Sequence, residues 1–186
     1  MRLFTGIPLP ADVVRRLDEL TRRLKPLARI KWSPLANLHI TTKFIGDWPA
    51  NRLAELKGAL ADLPLPGEIR IAVRGLGWFP NVRAPWVFWA GVEDPGGLSA
   101  LARETEARLE RLGIARENRK YSPHLTLARI KEPAPLHALL RELAARPAAG
   151  FGEFTAAAFH LYQSELRPGG SVYTSLAEFP LGGTGE

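Results

Sequence analysis

One pattern occurs twice in this chain. His39-Ile40-Thr41-Thr42 stands within Asn37-Leu38-His39-Ile40-Thr41-Thr42-Lys43-Phe44, and His124-Leu125-Thr126-Leu127 within Ser122-Pro123-His124-Leu125-Thr126-Leu127-Ala128-Arg129. In extended backbone, residues two apart share a face, so each His projects with its Thr while Leu38, Ile40 and Phe44, or Leu125 and Leu127, pack behind them. Two such strands facing each other make a site of two imidazoles and two hydroxyls. The plainer alternative is two half-buried strands whose polar faces happen to match.

Periodicity along the rest of the chain places these strands in an α+β order. Arg2 to Ile7 reads as a strand, and Ala11 to Leu24 as a helix with Val13, Val14, Leu17, Leu20 and Leu24 at helical spacing. The first His-x-Thr strand runs from Asn37 to Ile45, a helix from Ala50 to Leu63, and strands from Glu68 to Gly75 and Trp86 to Val92. Leu98 to Leu112 is a helix with Leu98, Leu101, Thr105, Leu109 and Leu112 on one stripe, stopped by Gly113. Arg116 to Tyr121 forms a basic loop before the second motif. A helix over Pro135 to Ala145 and two strands, Glu153 to Glu165 and Ser171 to Glu178, joined by Arg167-Pro168-Gly169-Gly170, close the chain. The segment after Pro180 is small and polar and reads as loose. No linker-like stretch divides the halves, so the expectation is one bilobal domain over 1–186, each lobe delivering one motif strand to a shared cleft.

Composition excludes several chemistries. There is no cysteine, hence no disulfide, zinc-thiolate site, iron–sulfur cluster or thiol nucleophile. Neither motif has a nearby carboxylate, and metal-ligand spacings such as His-x-x-x-His are missing, which argues against a metal-dependent hydrolase and for no cofactor. Arg15 and Arg16 interrupt the N-terminal region before an apolar stretch of signal-peptide length, and no segment reaches membrane-spanning length. The chain reads as a soluble cytoplasmic protein without a membrane partner. A formal charge of +6 favours an anionic partner such as nucleic acid. Much of the arginine, including Arg15, Arg22, Arg103 and Arg111, is interleaved with acids in helical segments and reads as a solvated face.

The paired tetrapeptides His39–Thr42 and His124–Leu127 resemble the defining motifs of the two-histidine phosphoesterase superfamily. Within it the chain is similar to the bacterial and archaeal RNA 2′,3′-cyclic phosphodiesterases, historically called 2′-5′ RNA ligases. The likeness extends to Arg2-Leu3-Phe4 through Leu9-Pro10, Phe44-Ile45-Gly46, Pro123 through Arg129, and Leu161-Tyr162-Gln163-Ser164-Glu165-Leu166 followed by Tyr173. The resemblance implies a bilobal α+β fold with pseudo-two-fold symmetry, antiparallel sheets flanking a central cleft and helices outside. It implies opening of a terminal 2′,3′-cyclic phosphate to a 2′-phosphomonoester, with RNA ends or nucleotides as partners. A monomer is expected, although the sequence does not give oligomeric state. Thr42 departs from the family, which prefers an apolar residue there; its side chain is expected to point away from His39.

The chemistry suits these residues. Ring opening without metal needs one group to take a proton from water and another to give one to the leaving ribose oxygen. Histidine serves both roles because its unperturbed pKa is about 6.5. By family analogy His124 is the base and His39 the acid that protonates O3′. Run in reverse, the same site joins RNA ends through a 2′-5′ linkage. Thr41 and Thr126 are expected to donate to non-bridging phosphate oxygens. The resemblance also puts Arg129 in nucleotide binding, although strict alternation sets it on the face opposite His124. Phe4 is a candidate base-stacking residue, and Lys43, on the face of His39, a candidate for steering phosphate. The tryptophans read mainly as core, His137 as exposed and His160 as structural. The rival from another class is an RNA-end-binding module without turnover.

Overall fold

The computed structural model describes residues 1–148 and 150–182. Strand β1 (Arg2–Pro8) ends where proline can no longer donate to the ladder, and helix α1 (Ala11–Leu24) buries Val13, Leu17, Leu20 and Leu24 on one face. After β2 (Lys31–Trp32), a 3-10 turn over Leu35–Asn37 sets the entry to β3 (His39–Asp47). Then come α2 (Leu53–Ala61), β4 (Ile69–Phe79), β5 (Val87–Glu93), α3 (Gly97–Glu110) and β6 (His124–Arg129). The chain continues with α4 (His137–Ala145), β7 (Gly152–Ala156), β8 (Ala158–Arg167) and β9 (Gly170–Pro180).

The strands form two antiparallel sheets, ordered β3-β1-β8-β9 and β2-β6-β5-β4-β7. The expected α+β class with one motif strand per sheet is therefore what forms. Neither sheet comes from one half of the chain. The first takes β1 and β3 from the N-terminal part and β8 and β9 from the C-terminal end; the second takes its other strands from between them. Leu3, Ile7, Ile40, Phe159 and Leu161 of the first sheet and Phe88, Ala90, Leu125 and Leu127 of the second belong to one continuous buried cluster with the helix stripes. Contacts of α3 with both β3 and β4 bridge the two sheets.

Three expectations change. Strand β4 continues to Phe79 rather than ending at Gly75, because a register shift between Val73 and Leu76, with Gly75 at φ +75°, absorbs the break in alternation. The single strand expected over Glu153 to Glu165 is two: β7 pairs with β4 in one sheet and β8 with β1 in the other. The segment after Pro180 is not uniformly loose. Leu181 is fully buried, and its N–H donates to the Ala157 carbonyl; residues 183–186 of that expectation lie outside the described residues.

Candidate active site

Strands β3 and β6 contact each other across the two sheets. Each begins with its motif His. Their imidazoles are held alike: His39 Nδ1 lies 2.7 Å from the Asn37 carbonyl, and His124 Nδ1 lies 2.8 Å from the Ser122 carbonyl. A carbonyl only accepts, so Nδ1 carries the proton in both rings and the neutral ring keeps its lone pair on Nε2. Thr41 Oγ1 lies 2.9 Å from His39 Nε2 and donates to it while that ring is neutral.

Both motifs end in a β-bulge, and the bulges reset which residues enter the cleft. Opposite β1, Thr41 pairs with Gly6 but Lys43 with Thr5; opposite β5, Thr126 pairs with Trp89 but Ala128 with Phe88. The fourth motif residue, Thr42 or Leu127, is the extra one, and past it the alternation changes phase. Thr42 and Lys43 are both buried, as are Leu127 and Ala128, while Phe44 and Arg129 emerge exposed. These two residues are counterparts, each five places beyond its histidine.

The bulges decide several candidates. Arg129 returns toward the cleft: its charge acts on both His39 and His124. Lys43 does not face the cleft. It is 5% exposed, and its Nζ donates to Glu106 Oε2 and to the Ala115 carbonyl, both at 2.8 Å, so it ties β3 to α3 and the following loop rather than steering phosphate. Thr42 points inward as expected, its hydroxyl 2.7 Å from that of Thr5. Phe4, at 3% exposure, has no free face for a base; its ring stacks on His39 at 4.5 Å between centroids and on Tyr162 at 5.1 Å, with the edge of Tyr173 at 4.9 Å. Gly6 allows this seating, since a Cβ there would stand 3.1 Å from His39 Cδ2 and 2.9 Å from the Ile40 carbonyl.

The two imidazoles differ in what surrounds them. His39 sits in an aromatic box of Phe4, Tyr162 and Tyr173; His124 meets the edge of Phe79 at 5.0 Å. Burial lowers His39 to about 4 despite its bond to the Asn37 carbonyl, with the charges of Arg129 and His124 adding to the depression. His124 is also lowered, first by burial and further by Arg129, against its bond to the Ser122 carbonyl. A cavity of about 260 Å³ adjoins His39, lined in part by Asn37, Tyr162 and Tyr173; His124 and Thr126 do not line it.

Sequence reasoning missed some of the setting. Tyr121, placed only at the end of a basic loop, donates its hydroxyl to the Thr41 carbonyl at 2.9 Å and so ties the loop before β6 to the motif of β3. Phe44, assigned to packing, is 63% exposed, and Trp86 is 71% exposed. His160 bonds Ser175 through Nδ1 and stacks on Tyr162, next in line behind Phe4. Among the described residues, no three His, Asp or Glu side chains gather closely enough to hold a metal ion, and no helix is long and apolar enough to cross a membrane.

Comparison with known proteins matches the chain twice to the family described as LigT like Phosphoesterase, over residues 7–89 and 91–173. The RNA 2′,3′-cyclic phosphodiesterase of Thermus thermophilus is 37% identical over 193 aligned residues, covering 98% of this chain and 91% of that one. A crystal structure of a Thermus thermophilus protein superposes with a TM-score of 0.82 at 32% identity over the whole of both chains. That of E. coli LigT complexed with 3′-AMP gives 0.77 at 25% identity over 97% of each. The two family matches do not coincide with the two sheets: β4, in the first match, joins the sheet of β6, and β8, in the second, joins the sheet of β3.

Proposed function

The chain belongs to the LigT like phosphoesterase family, and from that premise we propose that it opens terminal 2′,3′-cyclic phosphates of RNA to 2′-phosphomonoesters, without metal, by acid–base catalysis between His39 and His124. The observation that carries this reading is the matched pair of imidazoles, both with Nδ1 tied to a carbonyl two residues upstream and both therefore working through Nε2. His124 Nε2 takes a proton from water as the water oxygen attacks phosphorus. The P–O3′ bond breaks, and O3′ receives the proton carried on Nε2 of His39. Each transfer contributes roughly 10²- to 10⁴-fold.

The acid needs a proton that the free protein does not hold at neutral pH, because burial keeps His39 neutral there. A bound phosphodiester anion supplies the missing favourable charge and raises the imidazole. Protonation of Nε2 also ends its acceptance from Thr41, freeing that hydroxyl to donate to a phosphate oxygen alongside Thr126. Arg129 and its counterpart Phe44 flank the nucleotide, one with charge and one with an exposed ring, while Phe4 holds His39 from behind. The two lobes act as one domain, since each sheet needs strands from both family repeats. With a 5′-hydroxyl in place of water, the reverse sequence forms a 2′-5′ linkage; hydrolysis dominates in water.

The test is turnover of an RNA oligonucleotide ending in a 2′,3′-cyclic phosphate, with EDTA present, and identification of the phosphate position. The expected product is a 2′-phosphate, lost in His39→Ala and His124→Ala. Replacing the 3′-bridging oxygen by sulfur assigns the roles: a thiolate leaves without a proton, so the His39→Ala defect shrinks on that substrate and the His124→Ala defect persists. The opposite pattern exchanges acid and base. Loss of wild-type turnover in EDTA defeats the metal-free mechanism.

A further inference from the structure

About half of the arginines are matched by carboxylates, among them Arg15 by Glu19, Arg22 by Asp18, Arg52 by Glu55, Arg74 by Glu93 and Glu153, and Arg116 by Glu110. The exposed end of the second sheet gathers several of the unmatched cations. Lys31 on β2 is the direct partner of Arg129 on β6, so the two share a face with Cα atoms about 4.5–5.5 Å apart. Lys131 follows two residues on, and Arg83 lies in the turn between β4 and β5. None of the four forms an ion pair among the described residues, and Glu132, adjacent to Lys131, neutralises none of them. Trp86 belongs to the same end: its carbonyl accepts from the Ile130 N–H at 2.9 Å, and its side chain is 71% exposed. Four unmatched cations and a bare indole thus lie at one end of the second sheet, beginning at the residue whose charge reaches both histidines and including the edge strand β2.

We propose that this strip is a track for single-stranded RNA, holding the nucleotides on the 5′ side of the cyclic phosphate. Cations spaced along a strand pair suit successive phosphates, and an exposed indole offers any base a face to stack on without reading its sequence. The protein then prefers RNA ends over cyclic mononucleotides, with the preference carried by residues outside the chemistry. This inference rests on the reading of the cleft as a phosphodiesterase site for RNA ends, but its test separates the two.

The experiment compares adenosine 2′,3′-cyclic phosphate with oligoadenylates of increasing length bearing the same terminus, using wild type, Lys31→Ala/Lys131→Ala and Trp86→Ala. Binding of a hexamer ending in a 2′-phosphate is followed by fluorescence anisotropy over a range of salt. The expected result is that wild-type kcat/KM rises with length and that both variants lose the rise, by about tenfold for Trp86→Ala, while turnover of the mononucleotide is unchanged. The double variant also flattens the plot of log affinity against log salt by about 1.4, at about 0.7 per phosphate contact. The track is overturned if wild type gains nothing from length, if the variants match wild type on the hexamer, as they would were the strip a surface for a protein partner, or if mononucleotide turnover falls as far as oligonucleotide turnover. If wild type hydrolyses neither substrate yet the variants lose hexamer binding and salt slope, the reading of the function fails and the track stands.

Discussion

The depressed pKa of His39 carries a stability cost that a pH series isolates. The native imidazole titrates at about 4, whereas in the unfolded chain it titrates near 6.5. Between those values the unfolded state binds more protons, so the contribution of His39 to stability is intact above pH 6.5 and is lost as pH falls toward 4. From pH 7.5 to pH 4.5 the loss works out at about 2.5 kcal/mol, a large part of a typical 5–15 kcal/mol. His39→Asn removes the titrating group but leaves the carboxylates and the other histidines. Urea unfolding of both proteins, read by tryptophan fluorescence at several pH values, gives the difference directly. Wild type is expected to lose about 2.5 kcal/mol more than the variant over this range. Parallel pH dependence within about 0.5 kcal/mol would show that the aromatic box does not hold the ring neutral, and the argument that substrate must restore the proton of the acid would go with it. Binding of a phosphodiester analogue at neutral pH is then accompanied by uptake of a proton at His39, measurable by calorimetry in buffers of different ionisation heat.

Three further outcomes follow from local geometry. Thr5→Val leaves the buried Thr42 hydroxyl without its partner and is expected to cost about 1–3 kcal/mol, with Thr5→Val/Thr42→Val costing less than the single change; equal costs in urea melts would show that the two hydroxyls do not depend on each other. Lys43→Met strands the Glu106 carboxylate beneath the loop and is expected to destabilise by roughly 2–4 kcal/mol, partly recovered by Glu106→Gln. Its KM for a cyclic mononucleotide should stay within about twofold, and a larger rise would restore Lys43 to phosphate steering. Gly77→Ala drives a Cβ into the Trp89 ring, so a loss of roughly 1–3 kcal/mol with shifted indole emission is expected, and an unchanged melt would contradict that seating.

The identity of the motif strands was legible because their alternation holds up to the fourth residue of each motif. What lies beyond was misread for one reason. A bulge inserts a residue without leaving a mark in composition, so extrapolated alternation put Lys43 in the cleft and Arg129 on the wrong face, and it assigned Phe44 to packing. Comparing the two copies with each other would have helped: a candidate residue five places after one His makes the residue five places after the other a candidate too. The division of β7 from β8 is harder. Ala156-Ala157-Ala158 carries no turn chemistry, and the change of sheet at that point is dictated by pairing with β4 and β1, which are remote in sequence. Helices were placed to within a few residues because their stripes are local.

The repeated motif also poses a chemical problem, since under the proposed mechanism two His-x-Thr units do opposite things. The same strand geometry, the same upstream carbonyl and the same tautomer recur at His39 and His124, and within the motifs only the bond of Thr41 to its own imidazole sets them apart. Environment has to separate acid from base, as it does wherever like groups take unlike roles. Here the asymmetry is visible in the side chains packed around each ring. Phe4, Tyr162 and Tyr173 enclose His39, and its Nε2 is occupied by Thr41, so it gains most from an arriving anion. His124 is lowered by burial as well, but its ring meets a single aromatic edge and its Nε2 has no partner among the described residues, which leaves the lone pair open to water. Arg129 completes the difference. It stands on the strand of His124, opposite a phenylalanine on the strand of His39, so the one formal charge in the pair biases both imidazoles toward neutrality until phosphate neutralises it. Under the proposed mechanism, a symmetric scaffold with one charged and one aromatic counterpart thus lets substrate binding decide which histidine acquires the proton.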